Sequence, residues 1–150
     1  MEKKKERSRL VEHLLKKGMV TRSQLDKAKE GIRTDCEAYS LVSMGVLSDL
    51  KLLGCAIDME QVPYIVLPNY SVEPDVLKLI PEEHCRLNCM LPLDKVENIL
   101  TLAMVDPLDD AARNKVEKMT GLTTKAVLCS ARDFVDVTRT VWLEAAGKKK

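Results

Sequence analysis

Residues 100–122 read LTLAMVDPLDDAARNKVEKMTGL. An apolar run, then Asp-Pro-Leu-Asp, then a charged segment that continues to Gly121 describes a strand that feeds a helix and then stops. Asp106 suits the N-cap, Pro107 the first helical position, where its missing N–H does no harm, and Asp109 the third, closing a box. These acids also lie at the positive end of the helix dipole. A calcium or magnesium loop needs oxygens at alternating positions around a glycine turn, and that spacing is absent here. The aspartates are therefore read as a structural helix start, with no metal site and no catalytic role.

Working outward, MLPLDKV and ILTLAMV flank the polar pair Glu97-Asn98 and read as a hairpin, while TTKAVLCS reads as a third strand and ARDFVDVTRTVWLEAA as a final helix. Upstream, SVEPDVLKLIPEEHCRLN reads as one or two short helices with Pro74 and Pro81 in first-turn positions. VPYIVLP, with proline at both ends, reads as an edge strand or an extended linker. Residues 62–150 thus form an α+β subdomain of order ββαβα, a mainly antiparallel three-stranded sheet with helices on one side.

The first 61 residues show helical periodicity instead. In RSRLVEHLLKKG, Leu10, Val11, Leu14 and Leu15 make one apolar face and Gly18 supplies a left-handed stop. Thr21 then caps a second helix, with Gln24 completing a capping box. The pattern recurs after a shift of 27: Leu14 aligns with Leu41, Gly18 with Gly45, Val20 with Leu47, Thr21 with Ser48 and Leu25 with Leu52. Residues 1–61 are accordingly a helical repeat subdomain of two hairpins, each with an apolar stripe that needs the other to cover it.

A chain of 150 residues with 45% hydrophobic content, 3% aromatic content and net charge +1 is neither a disordered polyanion binder nor a base-stacking protein. The lysine-rich ends, MEKKKERSR and GKKK, read as solvated tails. No apolar stretch approaches the roughly 18 residues of a membrane span, and five scattered cysteines fit reduced thiols, so a cytoplasmic protein is expected. His84, Cys85 and Cys89 lack the second ligand pair of a structural zinc site. Neither His13 nor His84 stands by a glycine-flanked nucleophile, and no GxxxxGK[ST] loop occurs, so the chain is read as no enzyme. MVTRSQLDKAKEGIR has the outline of a DNA-reading helix-turn-helix, with Arg22, Lys27, Lys29 and Arg33. Asp26 and Glu30 share its surface, which favours a solvated face; DNA binding stays as an alternative class.

The order of motifs, a duplicated LLxxGxxTxxQL hairpin, VPYIVL, PDVLKLIPEEHCRLNCMLPL, LTLAMVDPLDDAARNKVEKMTGL and AVLCSARDF, resembles the N-terminal domain of type II secretion and type IV pilus assembly ATPases. The resemblance covers roughly residues 9–145. It implies a regulatory and docking module that engages the cytoplasmic domain of an inner-membrane platform protein, works with an assembly ATPase, and sits peripherally at that membrane through its partner. It also implies an alternative role, since some members bind cyclic di-GMP through two copies of a motif near RLGxxLxxxGxxxxxxLxxxLxxQ. The first copy here keeps Arg9, Leu10, Leu14, Gly18 and Leu25, the candidate nucleotide-binding residues. It carries Val11 for the motif glycine, Lys29 for the later leucine and Ile32 for the glutamine. The second copy keeps Leu41, Gly45 and Leu52, with Glu37-Ala38, Ala56 and Met59 as departures. No cofactor is expected, since a β-branched Val11 obstructs the close backbone approach that the glycine allows.

Overall fold

The computed structural model describes residues 7–31 and 34–147, leaving most of both lysine-rich tails, Ile32 and Arg33 outside the described residues. Its helical part comprises α1 (Arg9–Lys16), α2 (Arg22–Gly31), α3 (Glu37–Ser43) and α4 (Asp49–Met59). Side-chain caps set the starts of α1, α2 and α4, while α3 begins after Cys36 without one. The Ser8 hydroxyl accepts from Val11 N, Ser48 from Lys51 N, and Thr21 and Gln24 exchange the two hydrogen bonds of a capping box at 3.1 and 2.9 Å.

Both hairpins close through the same glycine turn. Gly18 has φ 72° and Gly45 φ 77°. Gly18 N donates to Leu15 O and Met19 N to Leu14 O, while Gly45 N donates to Val42 O and Val46 N to Leu41 O. These are the paired bonds of a Schellman stop, which satisfy carbonyls that a helix end leaves open.

After an extended stretch and a single 3-10 turn (Leu67–Asn69) come α5 (Pro74–Leu77), α6 (Glu82–Asn88), β1 (Met90–Val96), β2 (Ile99–Met104), α7 (Asp110–Thr120), β3 (Thr123–Leu128), α8 (Ala131–Thr138) and α9 (Val141–Gly147). The extended stretch touches the β3 edge, with Ile65 N donating to Leu128 O and Leu128 N to Pro63 O. The C-terminal helix is two helices. Thr138 Oγ1 bonds back to Phe134 O, and Thr140 Oγ1 reaches Glu144 Oε1 to begin the second.

The fold is α+β, with the strands in the order β1-β2-β3. The sheet is mixed rather than mainly antiparallel: β1 and β2 pair antiparallel around Glu97-Asn98, but β2 and β3 pair parallel. Sequence periodicity carries no strand direction. The 11 residues of α7 climb about 16 Å, enough to run back beside a strand of six residues and start β3 at the same end as β2. Helices also cover both faces of the sheet instead of one. Leu100, Leu102 and Met104 join a cluster with Ile80, Cys85 and Val116, while Ala103 and Val105 join another with Leu10, Leu14, Leu41, Leu91 and Phe134. That second cluster runs from the helical hairpins into the sheet, so residues on either side of position 61 share a core.

Candidate functional site

Where α1 meets the start of α7, a cleft of about 310 Å³ opens between Arg7, Ser8 and Arg9 on one side and Asp109, Asp110, Asn114, Lys115 and Lys118 on the other. Its floor is polar and buried. Ser8 Oγ donates to Asp106 Oδ2 at 2.6 Å across 98 residues of chain. The other carboxylate oxygen, Asp106 Oδ1, accepts from Leu108 N at 3.1 Å, and Asp109 N bonds to Asp106 O at 3.2 Å. Asp106 and Pro107 therefore form a tight turn before α7. The N-cap is Asp109, whose Oδ1 accepts from Ala112 N at 3.2 Å, and the helix begins at Asp110. The sequence expectation of Asp106 as cap, Pro107 as first helical residue and Asp109 as third runs three residues early. The Asp106 carboxylate instead engages Ser8 and its own turn, and Asp109 takes the cap of α7.

Above this floor lies an arginine clasp. Arg9 Nε and Nη2 reach the two oxygens of Asp110 at 2.7 and 3.1 Å, and Nη1 and Nη2 reach Glu60 at 3.4 Å each. The Asp110 hydrogen bonds, then those of Glu60, raise the Arg9 pKa above its ordinary value. Arg7 is held by Glu37 at 3.0 and 3.2 Å, which likewise raises its pKa. Both guanidinium groups thus face carboxylates bidentately, the geometry such a fork prefers.

The five candidate nucleotide-binding residues do not come together as a binding surface. Leu10, Leu14 and Leu25 are fully buried in the core, Gly18 lies at the turn, and Arg9 alone of the five opens to the cleft. Val11, at the motif glycine position, is buried too. Sequence reading missed Ser8 and Glu60, and took Asp110 only as an acid of the helix start. Ser8 is legible as an N-cap before RLVEHLL, but its pairing with Asp106 has no local signature.

Asp49 was also missed; its two oxygens accept from Ala131 N and Arg132 N at 3.0 Å each, tying α4 to the start of α8. Among the described residues no group of three or more His, Cys, Asp or Glu could hold a metal. Cys85 is buried, which pushes its pKa up to about 12, and Cys36 is raised by a hydrogen bond with Cys89 and by burial. Such thiols are poor nucleophiles. On α2, Arg22, Asp26, Lys27 and Glu30 are exposed together; the Lys29 side chain and Arg33 lie outside the described residues.

Residues 60–140 match the model of the MshEN domain family. The chain is 31% identical over 124 residues to the type IV pilus assembly ATPase PilB of Myxococcus xanthus, covering 81% of this chain and 22% of that protein. It is 31% identical over 121 residues to PilB of Thermus thermophilus, covering 78% of this chain and 14% of that one. The chain therefore spans less than a quarter of the length of either relative. Among solved structures, MshE with cyclic di-GMP superposes with a TM-score of 0.58 at 28% identity, covering 90% of this chain and 99% of that one. The N-terminal domain of XpsE gives a TM-score of 0.64 at 21% identity, covering 93% and 97%, and speaks to the fold.

Proposed function

The chain belongs to the MshEN domain family, and on that premise we propose that it is a non-catalytic regulatory and docking domain of a bacterial type II secretion or type IV pilus assembly system. It engages the cytoplasmic domain of an inner-membrane platform protein and works with an assembly ATPase, at the cytoplasmic face of that membrane. Among the described residues no helix is long and apolar enough to cross a membrane; in this reading the attachment runs through the partner. The observation that carries this reading is the closed arginine clasp. Arg9 is engaged by Asp110 and Glu60, so an incoming phosphate would have to displace two carboxylates and then sit beside them, a like-charge arrangement that costs binding energy. Biolayer interferometry against the platform protein's cytoplasmic domain tests it: micromolar or tighter binding without added nucleotide is expected, and no binding at any concentration would remove the reading.

A second reading has its own support. MshE, similar to this chain over nearly its whole length, was solved with cyclic di-GMP, and the cleft at Arg9 has about 310 Å³, the lower end of the range for small-ligand sites. In this reading Arg7, Arg9, Lys115 and Lys118 supply the cations, and the carboxylates of the clasp swing aside. Calorimetric titration separates the two: cyclic di-GMP binding that is lost in Arg9→Ala favours the sensor, and no heat favours docking alone. A DNA mobility shift with steep salt dependence would be required for the helix-turn-helix alternative.

A further inference from the structure

Helix α4 has two apolar faces; its own fold covers one and touches the other only at Leu53. Leu52 and Ala56 are buried, with Met59 partly so, at the helical spacing of a core-facing stripe. On the opposite side Leu50, Leu53, Gly54 and Ile57 recur at i, i+3, i+4 and i+7; Leu53 is partly buried against the chain's own core, and the other three are exposed. Leu50 is 79% exposed and Ile57 39%. The duplicated hairpin provides an internal control. The matching positions of α2 are Ser23, Asp26, Lys27 and Glu30, all exposed and all polar. Folding a hairpin of this kind does not need an apolar outer stripe.

Gly54 strengthens the point. It lies inside the helix with no positive φ, and a Cβ built on it meets nothing within 4 Å. Glycine weakens a helix interior relative to alanine, and among the described residues no neighbour packs close enough to compensate for that here. A small residue centred in an exposed apolar stripe lets a second helix approach closely.

We infer that this face is the contact between two copies of the chain: α4 packs antiparallel on the partner's α4 about a two-fold axis near Gly54. Charge selects this occupant over an unrelated helix. Lys51 and Asp58 are both exposed and lie on the same flank of the stripe, seven positions apart. An antiparallel pair centred near Gly54 sets Lys51 beside the partner's Asp58 at both ends, and Leu50 against the partner's Ile57. A two-fold contact has this self-complementary form, the same patch serving both copies.

Sedimentation equilibrium of the 150-residue chain over a wide concentration range tests the inference. A monomer–dimer equilibrium is expected, with Lys51→Glu and Asp58→Lys each raising the dissociation constant about tenfold. Mixing these two variants should restore association. In the mixed dimer the two substituted side chains face each other with opposite charge at one end, and the unaltered Lys51 of one copy faces the unaltered Asp58 of the other at the second end. Gly54→Leu should abolish the dimer without lowering the thermal midpoint, since the new side chain has open space and a better helix propensity. A chain that stays monomeric throughout, variants that dimerise like the parent, or a mixture that stays monomeric would each overturn the proposal.

Discussion

In the hairpin α1–α2 and its copy α3–α4, Gly18 and Gly45 take the same left-handed conformation, the same backbone bonds close both turns, and Leu14, Leu25, Leu41 and Leu52 enter one core. The two diverge where they meet the rest of the chain. At the start of α1, Ser8 and Arg9 reach down to Asp106 and Asp110. Their counterparts before α3 are Asp35, whose N–H bonds to Leu87 O, and Cys36, which is buried. On the outer surface, α2 is polar where α4 is apolar. What the copies share is what a hairpin needs to fold, and what they do not share marks where each docks on something else.

Variants at paired positions sharpen or break that comparison. The largest effect is expected in the core: Leu14→Ala and Leu41→Ala should each cost about 3 kcal/mol in urea denaturation, and a gap of several kcal/mol between them would end the equivalence of the copies. Because the main cluster crosses position 61, far-UV circular dichroism and the fluorescence of Trp142 should also report one coincident transition. Next comes Ser8→Ala, which removes the hydroxyl donor to the buried Asp106 carboxylate and should cost about 2 kcal/mol. A loss of only a few tenths would mean the copies differ less at this junction than the geometry states.

Smaller still, Gly18→Ala and Gly45→Ala put a Cβ at positive φ and should lower stability by about 1 kcal/mol each. Gly54→Ala should raise it by up to about 1 kcal/mol, the opposite sign separating turn glycines from the helical one. The least change is expected from Arg9→Ala, because Arg9 and Asp110 are about half exposed and ion pairs of that kind contribute under about 1 kcal/mol. A thermal shift of several degrees would show the clasp to be structural rather than a surface feature.

Much of this was legible in the residues themselves. Gly18, Thr21, Gln24 and Ser48 announce their turns and caps because each acts on backbone groups within four positions. The continuous run LAMV at 102–105, apolar at successive residues rather than alternate ones, also carried a signal that both faces of β2 are buried, though the expectation was helices on one side. The Asp106 assignment went astray for a related reason. Asp-Pro-Leu-Asp satisfies the rules for a cap at either aspartate, and the choice between them was made by Ser8, 98 positions away.

By itself the sequence determined the local grammar: two glycine-closed hairpins, a strand feeding a helix, and which leucines are interior. Those outcomes depend on backbone hydrogen bonding and on the period of apolar residues, both of which a short window contains. The tertiary structure decided the parallel pairing of β3 with β2, the use of Asp106 as a tether, and the closure of Arg9 by Asp110 and Glu60. Each depends on groups brought together by packing rather than by chain proximity, and an ion pair or a strand direction has no periodicity to read.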